Sequence, residues 1–391
     1  MKWIGAALLL GLIGGGALAQ RVQHDPPPFA VAGEEFTIFR WRDSECDRLL
    51  LPDSPARMFR RDDGALVLFA THYRNWSLTG ADFRSMKPEC RPVLESSRNP
   101  DPAAHDFKAW IQATYTMDGR NVIALLSQEF TAEAEGASCE TRERSRNCWH
   151  NVITVARSTD GGRSFELPPP ERRVFASVPE GFDPKADETM GFMTTSNIVA
   201  FDGYYYVFIH ATGSKAQRRG NCLLRASDPL DAAGWRAYDG GSFNVDLGAG
   251  ARGETPQTCD PIAPRVFDQP IRSIVRVGDN GAWVAVFFAR KRVGAGSARP
   301  GVFLSRSDDL LHWSAPQILL EAEQRFDADR CPPYIRYPSI IDPSSRSRNF
   351  ETVRDSPFLL FTRFNLKSGP QGKCASGGLD RDLKAIPLRL Q

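Results

Sequence analysis

The sequence predicts an all-β fold in which about five four-stranded sheets stand in a ring. Three observations carry that expectation. A strand–turn–strand unit recurs about five times along the 391 residues. The turns inside the copies are Asp-Gly or Asn-Gly, and long helical periodicity is nearly absent.

The copies follow one another in order. The first runs from Arg57 to Arg60, turns at Asp62-Asp63-Gly64 and continues from Ala65 to Ala70. The second has Trp110 to Tyr115, a turn at Asp118-Gly119 and a strand from Asn121 to Leu126. Its third strand, Asn151 to Ala156, enters Ser158-Thr159-Asp160-Gly161-Gly162-Arg163-Ser164-Phe165. The third copy has Ser196 to Phe201, Asp202-Gly203, Tyr204 to His210, then Cys222 to Ala226 entering Ser227-Asp228 and closing at Trp235. The fourth has Arg272 to Val277, Asp279-Asn280-Gly281, Ala282 to Ala289, then Gly301 to Ser305 entering Ser307-Asp308-Asp309 and closing at Trp313. The fifth begins at Tyr337-Pro338-Ser339, continues from Phe358 to Phe364 and ends in Leu379 to Leu390. Aromatic and β-branched residues dominate these runs, as pleated and half-buried backbone favours. Glu321 to Phe326 is a short helical turn at most.

A repeat of roughly 70–80 residues is too long for a hairpin and right for one blade with its loops. The fold expected is a five-bladed β-propeller, with six blades as a variant. Radial packing also removes exposed sheet edges. A pair of β-sandwiches is the rival, but it gives no reason for a Ser/Asp turn closed by an aromatic to recur at the same point of each unit.

Lys2, the apolar run through Leu12 and Ile13, and Ala17-Leu18-Ala19 read as an export signal over residues 1–19. The run is short and Gly-rich, whereas a spanning helix needs roughly 20 strongly apolar residues. Residues 20–391 are then a single secreted or periplasmic domain, without a lipid-anchoring cysteine near Ala19. The formal charge of +2 gives no footprint for nucleic acid, and a monomer is expected. The eight cysteines form no CxxC pair, which argues against zinc and for disulfides. Cys139 and Cys148 flank a polar loop and make the best-supported pair. Cys222 with Cys259, Cys331 with Cys374, and Cys46 with Cys90 complete one of several connectivities that sequence alone leaves open.

Ser158 to Phe165 resembles the Asp-box pattern of sialidases and related propellers, with Asp160, Gly162, Ser164 and Phe165 in the defining places. Ser307 to Trp313 is similar to the shorter form in five-bladed arabinanase- and fructosidase-like enzymes. In such a turn the carboxylate accepts backbone N–H bonds and glycine permits positive φ. The resemblance implies a turn on the outer part of the blade, so Asp160 is read as structural.

The same resemblance implies a ligand at the channel mouth, where polar residues end the inner strands. It also points to an Asp before the innermost strand of the first blade, a place that Asp53 fills. Glycoside cleavage needs a second carboxyl group as proton donor, and Glu129 or Glu188 could serve, with Asp260 auxiliary. The fuller motifs of those families are absent around these acids. The candidate substrate-binding residues are Arg57, His72, Arg74, Asn75, Asn151, Asn197, His210, Arg290, Tyr337 and Arg363. The carbohydrate hydrolase reading has two alternatives. A sialidase would gather Arg57, Arg290 and Arg363 beside Tyr337, and a polysaccharide lyase would use His72, His210 or Tyr337 as base. The third class is a propeller that binds glycan or protein without catalysis. No metal motif is visible and no cofactor is expected, although the resemblance allows a single channel cation beside His72 or His210.

Overall fold

The computed structural model describes residue 1 and residues 27–131, 148–292, 296–323, 334–368 and 374–391. Residues 2–19 of the export signal expected at 1–19 lie outside them, as do Cys139, Cys331 and the side chain of Cys374, and with them the two pairings expected there.

Five antiparallel sheets follow one another along the chain, each starting with its innermost strand. Blade I comprises Arg57–Arg60, Leu66–Phe69, Leu78–Gly80 and Lys87–Pro88. Blade II comprises Lys108–Thr116, Val122–Phe130, His150–Ser158 and Val174–Ala176. Blade III has Met190–Thr195 and Val199–Phe201 inside, then Tyr204–Gly213, Gly220–Ala226, Arg236–Tyr238 and Phe243–Val245. Blade IV has Ile271–Val277, Trp283–Arg292, Ala298–Ser307 and Gln317–Glu321. Blade V has Tyr334–Ile341, Phe358–Ser368 and Cys374–Leu390.

The hydrophobic clusters show that these blades form a closed ring. Phe59 and Phe69 of blade I pack with Ile111 and Leu126 of blade II. Ile123 and Val155 of blade II pack with Phe192 and Leu224 of blade III. Phe208 and Leu223 then meet Phe287 and Phe303, Val286 and Leu304 meet Leu359 and Phe361, and Leu360 and Leu383 return to Met58 and Leu68. Each side chain buried in this way contributes roughly 1.5–3 kcal/mol. The ring is held by apolar interfaces between neighbouring sheets.

Two strands not expected from the sequence complete blade V. Phe29–Val31 pairs with Leu388 to Leu390, and Phe36–Phe39 pairs with Leu383 to Ala385. The first described strands thus close the last blade, covering an edge that would otherwise expose unpaired backbone.

The recurrent Ser/Asp turns do what their chemistry suggests. Asp160 accepts from the N–H groups of Arg163 and Ser164 at 2.9 and 3.0 Å and from the Ser158 hydroxyl at 2.7 Å. Asp309 repeats the scheme with Leu311, His312 and Ser307. Gly162 has φ +77°, and a Cβ there would stand 2.9 Å from the Phe59 ring. The aromatics that close the turns, Phe165, Trp235 and Trp313, all enter the interface with the preceding blade. Blade I contains an unannounced fourth copy: Asp82 accepts from Arg84 and Ser85, and Phe83 packs towards blade V. Its short Asp-Phe-Arg-Ser form hides it from a pattern search.

Glu321 ends a strand, and residues 324–326 of the helical turn expected from Glu321 onward lie outside the described residues. Disulfides join Cys46 to Cys90 and Cys222 to Cys259, which belongs to a chain matured in an oxidising compartment. No helix among the described residues is long and apolar enough to cross a membrane.

Candidate active site

At one end of the ring lies a cavity of about 460 Å³, a volume typical of small-ligand sites. All five blades contribute to it. Asp53, His72 and Tyr73 come from blade I, and Lys108, Trp110, Gln112, Ser127, Glu129, Thr131 and Trp149 from blade II. Met193 and Thr194, Pro270 and Arg272, and Arg336 and Tyr337 come from blades III, IV and V.

A shared irregularity places several of these side chains. The inner strands of blades II to V each gain one residue against the second strand, at Gln112, at Met193, at Arg272 and within Tyr337-Pro338. Such a bulge breaks the alternation of faces and re-aims a side chain. All four bulged positions line the cavity. Only the last was legible, because Pro338 cannot donate to the ladder of a regular strand. Tyr337 also takes φ +58°, a costly conformation for an aromatic residue. Lys108 and Trp110 share one face of their strand by simple alternation.

Asp53 is held by three donors in the cavity. Its carboxylate accepts from the Tyr337 hydroxyl at 3.1 Å and the Trp110 indole at 3.3 Å, and pairs with Arg381. His72 Nε2 lies 3.6 Å away. Burial pushes the His72 pKa down to about 4, against the pull of Asp53, so the ring is neutral near pH 7. Burial together with Asp53 raises the Tyr337 hydroxyl well above its ordinary value. Glu129 stands directly across the ladder from Lys108.

Arg57 closes the channel below the cavity. Its guanidinium donates to the carbonyl oxygens of Gln112, Thr195 and Arg272 at 2.7, 3.0 and 2.7 Å, and to the Ser339 hydroxyl at 3.3 Å. One buried side chain of blade I therefore bonds every other blade. Desolvation, with the nearby Arg272 charge second, lowers its pKa to about 9.

The structure brings Asp53, Glu129, His72 and Tyr337 of the expected set to one cavity and sends the others elsewhere. Arg57 is corrected from ligand contact to hub, because its donors are spent on main-chain carbonyls and the Ser339 hydroxyl. Asn75 and Asn197 are corrected to clamps: each amide pairs with the inner strand of the next blade, at Ala109 and Ile111 or at Ile274. Asn151 is wholly buried behind Ser127, and His210 is buried against Asn221. Arg74 lies between Asp47 and Glu95, and Arg363 pairs with Glu35. Arg290 meets Glu323 in a separate cleft, so the three arginines of the sialidase reading do not converge. Glu188 is exposed on an outer cleft and Asp260 pairs with Arg218, which removes both from the cavity. Lys108, Trp110, Arg272 and Arg381 were missed, since regular strands gave no reason to expect them at the hub. Among the described residues no cluster of His, Cys, Asp and Glu could hold a metal ion.

No protein-family model matches the chain, and no curated protein matches it. Solved structures similar to it include an alpha-L-arabinofuranosidase from Podospora anserina in complex with cellotriose, at 10% identity over 93% of this chain and 96% of that one, with a TM-score of 0.47. A Cellvibrio cellulosa alpha-L-arabinanase complexed with arabinohexaose is 13% identical over 86% and 93%, with a TM-score of 0.45. A thermostable family-43 glycoside hydrolase is 12% identical over 88% and 90%, with a TM-score of 0.47.

Proposed function

We propose that the protein is a glycan-cleaving enzyme, a glycoside hydrolase that works with paired carboxyl groups. The observation that carries this reading is that Asp53 and Glu129, from adjacent blades, line one cavity walled by Tyr73, Trp110 and Trp149. Aromatic faces suit the apolar faces of sugar rings, and two carboxyl groups supply a proton donor and a base or nucleophile. Asp53 takes the second role, because the Tyr337 hydroxyl, the Trp110 indole and Arg381 fix its orientation. Glu129 takes the first, delivering its proton to the leaving oxygen.

A β-eliminating lyase is the second reading, favoured by the neutral His72 beside Asp53. The test is incubation with defined oligosaccharides, comparing wild type with Asp53→Asn and Glu129→Gln. Hydrolysis requires a loss of about 10²-fold or more in both variants. Unsaturated product formed with both carboxyl variants still active would replace hydrolase by lyase. Saturated product released at an unchanged rate would remove the assignment of both acids.

A further inference from the structure

Arg272 reaches the cavity with an uncompensated charge. Its Nη1 donates to the Thr194 hydroxyl at 2.9 Å, and its guanidinium stands 5.5 Å from the centre of the Tyr337 ring. Nε and Nη2 bond no protein atom, and no carboxylate pairs with the side chain among the described residues. Neither nitrogen is among the sealed, partnerless polar atoms of the interior, so both face the open cavity. Desolvation has already lowered its pKa to about 10. Just below it, Arg57 adds a second buried guanidinium bonded only to carbonyl and hydroxyl oxygens. Of the two cavity acids, Asp53 is bound to Arg381 and Glu129 is ranged against Lys108 in the ladder. A half-buried cation without a counter-ion is costly unless something completes it.

We propose that the ligand completes it: the site takes a carboxylate-bearing sugar, a uronate or similar acidic residue, whose carboxylate seats on the Nε and Nη2 edge of Arg272. The inference rests on the glycan reading above and narrows its substrate class. A planar fork presented by two nitrogens matches a carboxylate bidentately. The Tyr337 ring, on which the guanidinium rests, keeps the fork in place when the site is empty. A neutral sugar would leave the charge unanswered, so the arrangement also discriminates against neutral chains.

Calorimetric titration of the full chain with two matched sets of oligosaccharides tests this, one of uronic acids and one with the same carboxylates reduced to alcohols. The acidic set is expected to bind at least about tenfold more tightly, with the preference lost in Arg272→Gln and partly kept in Arg272→Lys. Thermal melts of both variants separate loss of binding from loss of fold, and the backbone carbonyl that Arg57 holds is retained in each. Equal binding of both sets by wild type overturns the anionic assignment and leaves the glycan reading standing. A preference for the acidic set that survives in Arg272→Gln also overturns it. Failure of both sets to bind removes the two readings together.

Discussion

Arg57 Nη2 donates to the carbonyl oxygen of Arg272 at 2.7 Å, so one buried guanidinium holds the backbone from which another reaches the cavity. The hub residue thus bonds the bulge from which the site residue projects. Replacing Arg57 with Met should leave the carbonyls of Gln112, Thr195 and Arg272 without their donor in the interior. Each such loss costs roughly 1–3 kcal/mol, so the variant should lose more than about 3 kcal/mol. Urea unfolding measures it directly. A midpoint unchanged from wild type would mean that the apolar interfaces alone hold the ring.

Tyr337 offers a cleaner probe of catalysis. Its hydroxyl is one of the donors on Asp53, at 3.1 Å, while its ring is set by the bulge and needs no hydroxyl. Tyr337→Phe should therefore lower kcat by about tenfold or more, change KM little and leave the melting temperature nearly unaltered. A fall in stability with kcat preserved would make the tyrosine a packing residue only.

The repeat was legible because turns obey local rules: Asp caps its own backbone, glycine takes positive φ, and an aromatic closes the unit. Those rules act over a few residues and survive in one sequence. The cavity was only half legible. His72 and Glu129 were found because they end strands where loops converge. Arg272 sits inside a strand, and nothing in Arg272-Ser273-Ile274 announces the bulge that turns it inward. Asn75 and Asn197 misled for the converse reason: an amide matches a sugar hydroxyl and a backbone N–H and C=O pair equally well. Which one it meets depends on the neighbouring blade, which lies far along the chain. The strands at Phe29–Val31 and Phe36–Phe39 looked ordinary, and their place in the last blade follows only from ring closure.

Acid should weaken the fold through its histidines. Burial lowers the pKa of His72, His105 and His150 to about 4 and that of His210 to about 3, from 6.5. A folded-state value depressed in this way gives stability that is complete above 6.5 and is lost as pH falls through the folded values. His150 and His210 are nearly inaccessible, and each should surrender roughly a few kcal/mol over that range. Unfolding free energy followed from about pH 7 to about pH 4 should decline steadily, and His150→Gln or His210→Gln should flatten the decline. A flat profile in wild type would show these rings to be already charged or solvated.

Glu351 should act in the opposite sense. Its carboxyl is buried between blades, accepting from Ala200 N–H at 2.6 Å and from the Tyr115 and Ser347 hydroxyls at 3.1 Å each, with no cation paired to it among the described residues. Desolvation outweighs these bonds and raises its pKa above 4.5. The folded state therefore prefers the protonated form, and the stability it adds is present below 4.5 and is lost as pH rises through the folded value. A glutamine keeps an oxygen for the Ala200 N–H, and the two hydroxyls can rotate to accept from its amide. Glu351→Gln should then be more stable than wild type at about pH 8, with the difference vanishing near pH 4. Four histidines oppose one carboxyl, so the acid limb of wild type should still slope downward. A variant less stable than wild type at about pH 8 would mean that the ionised carboxylate is itself what binds the three blades.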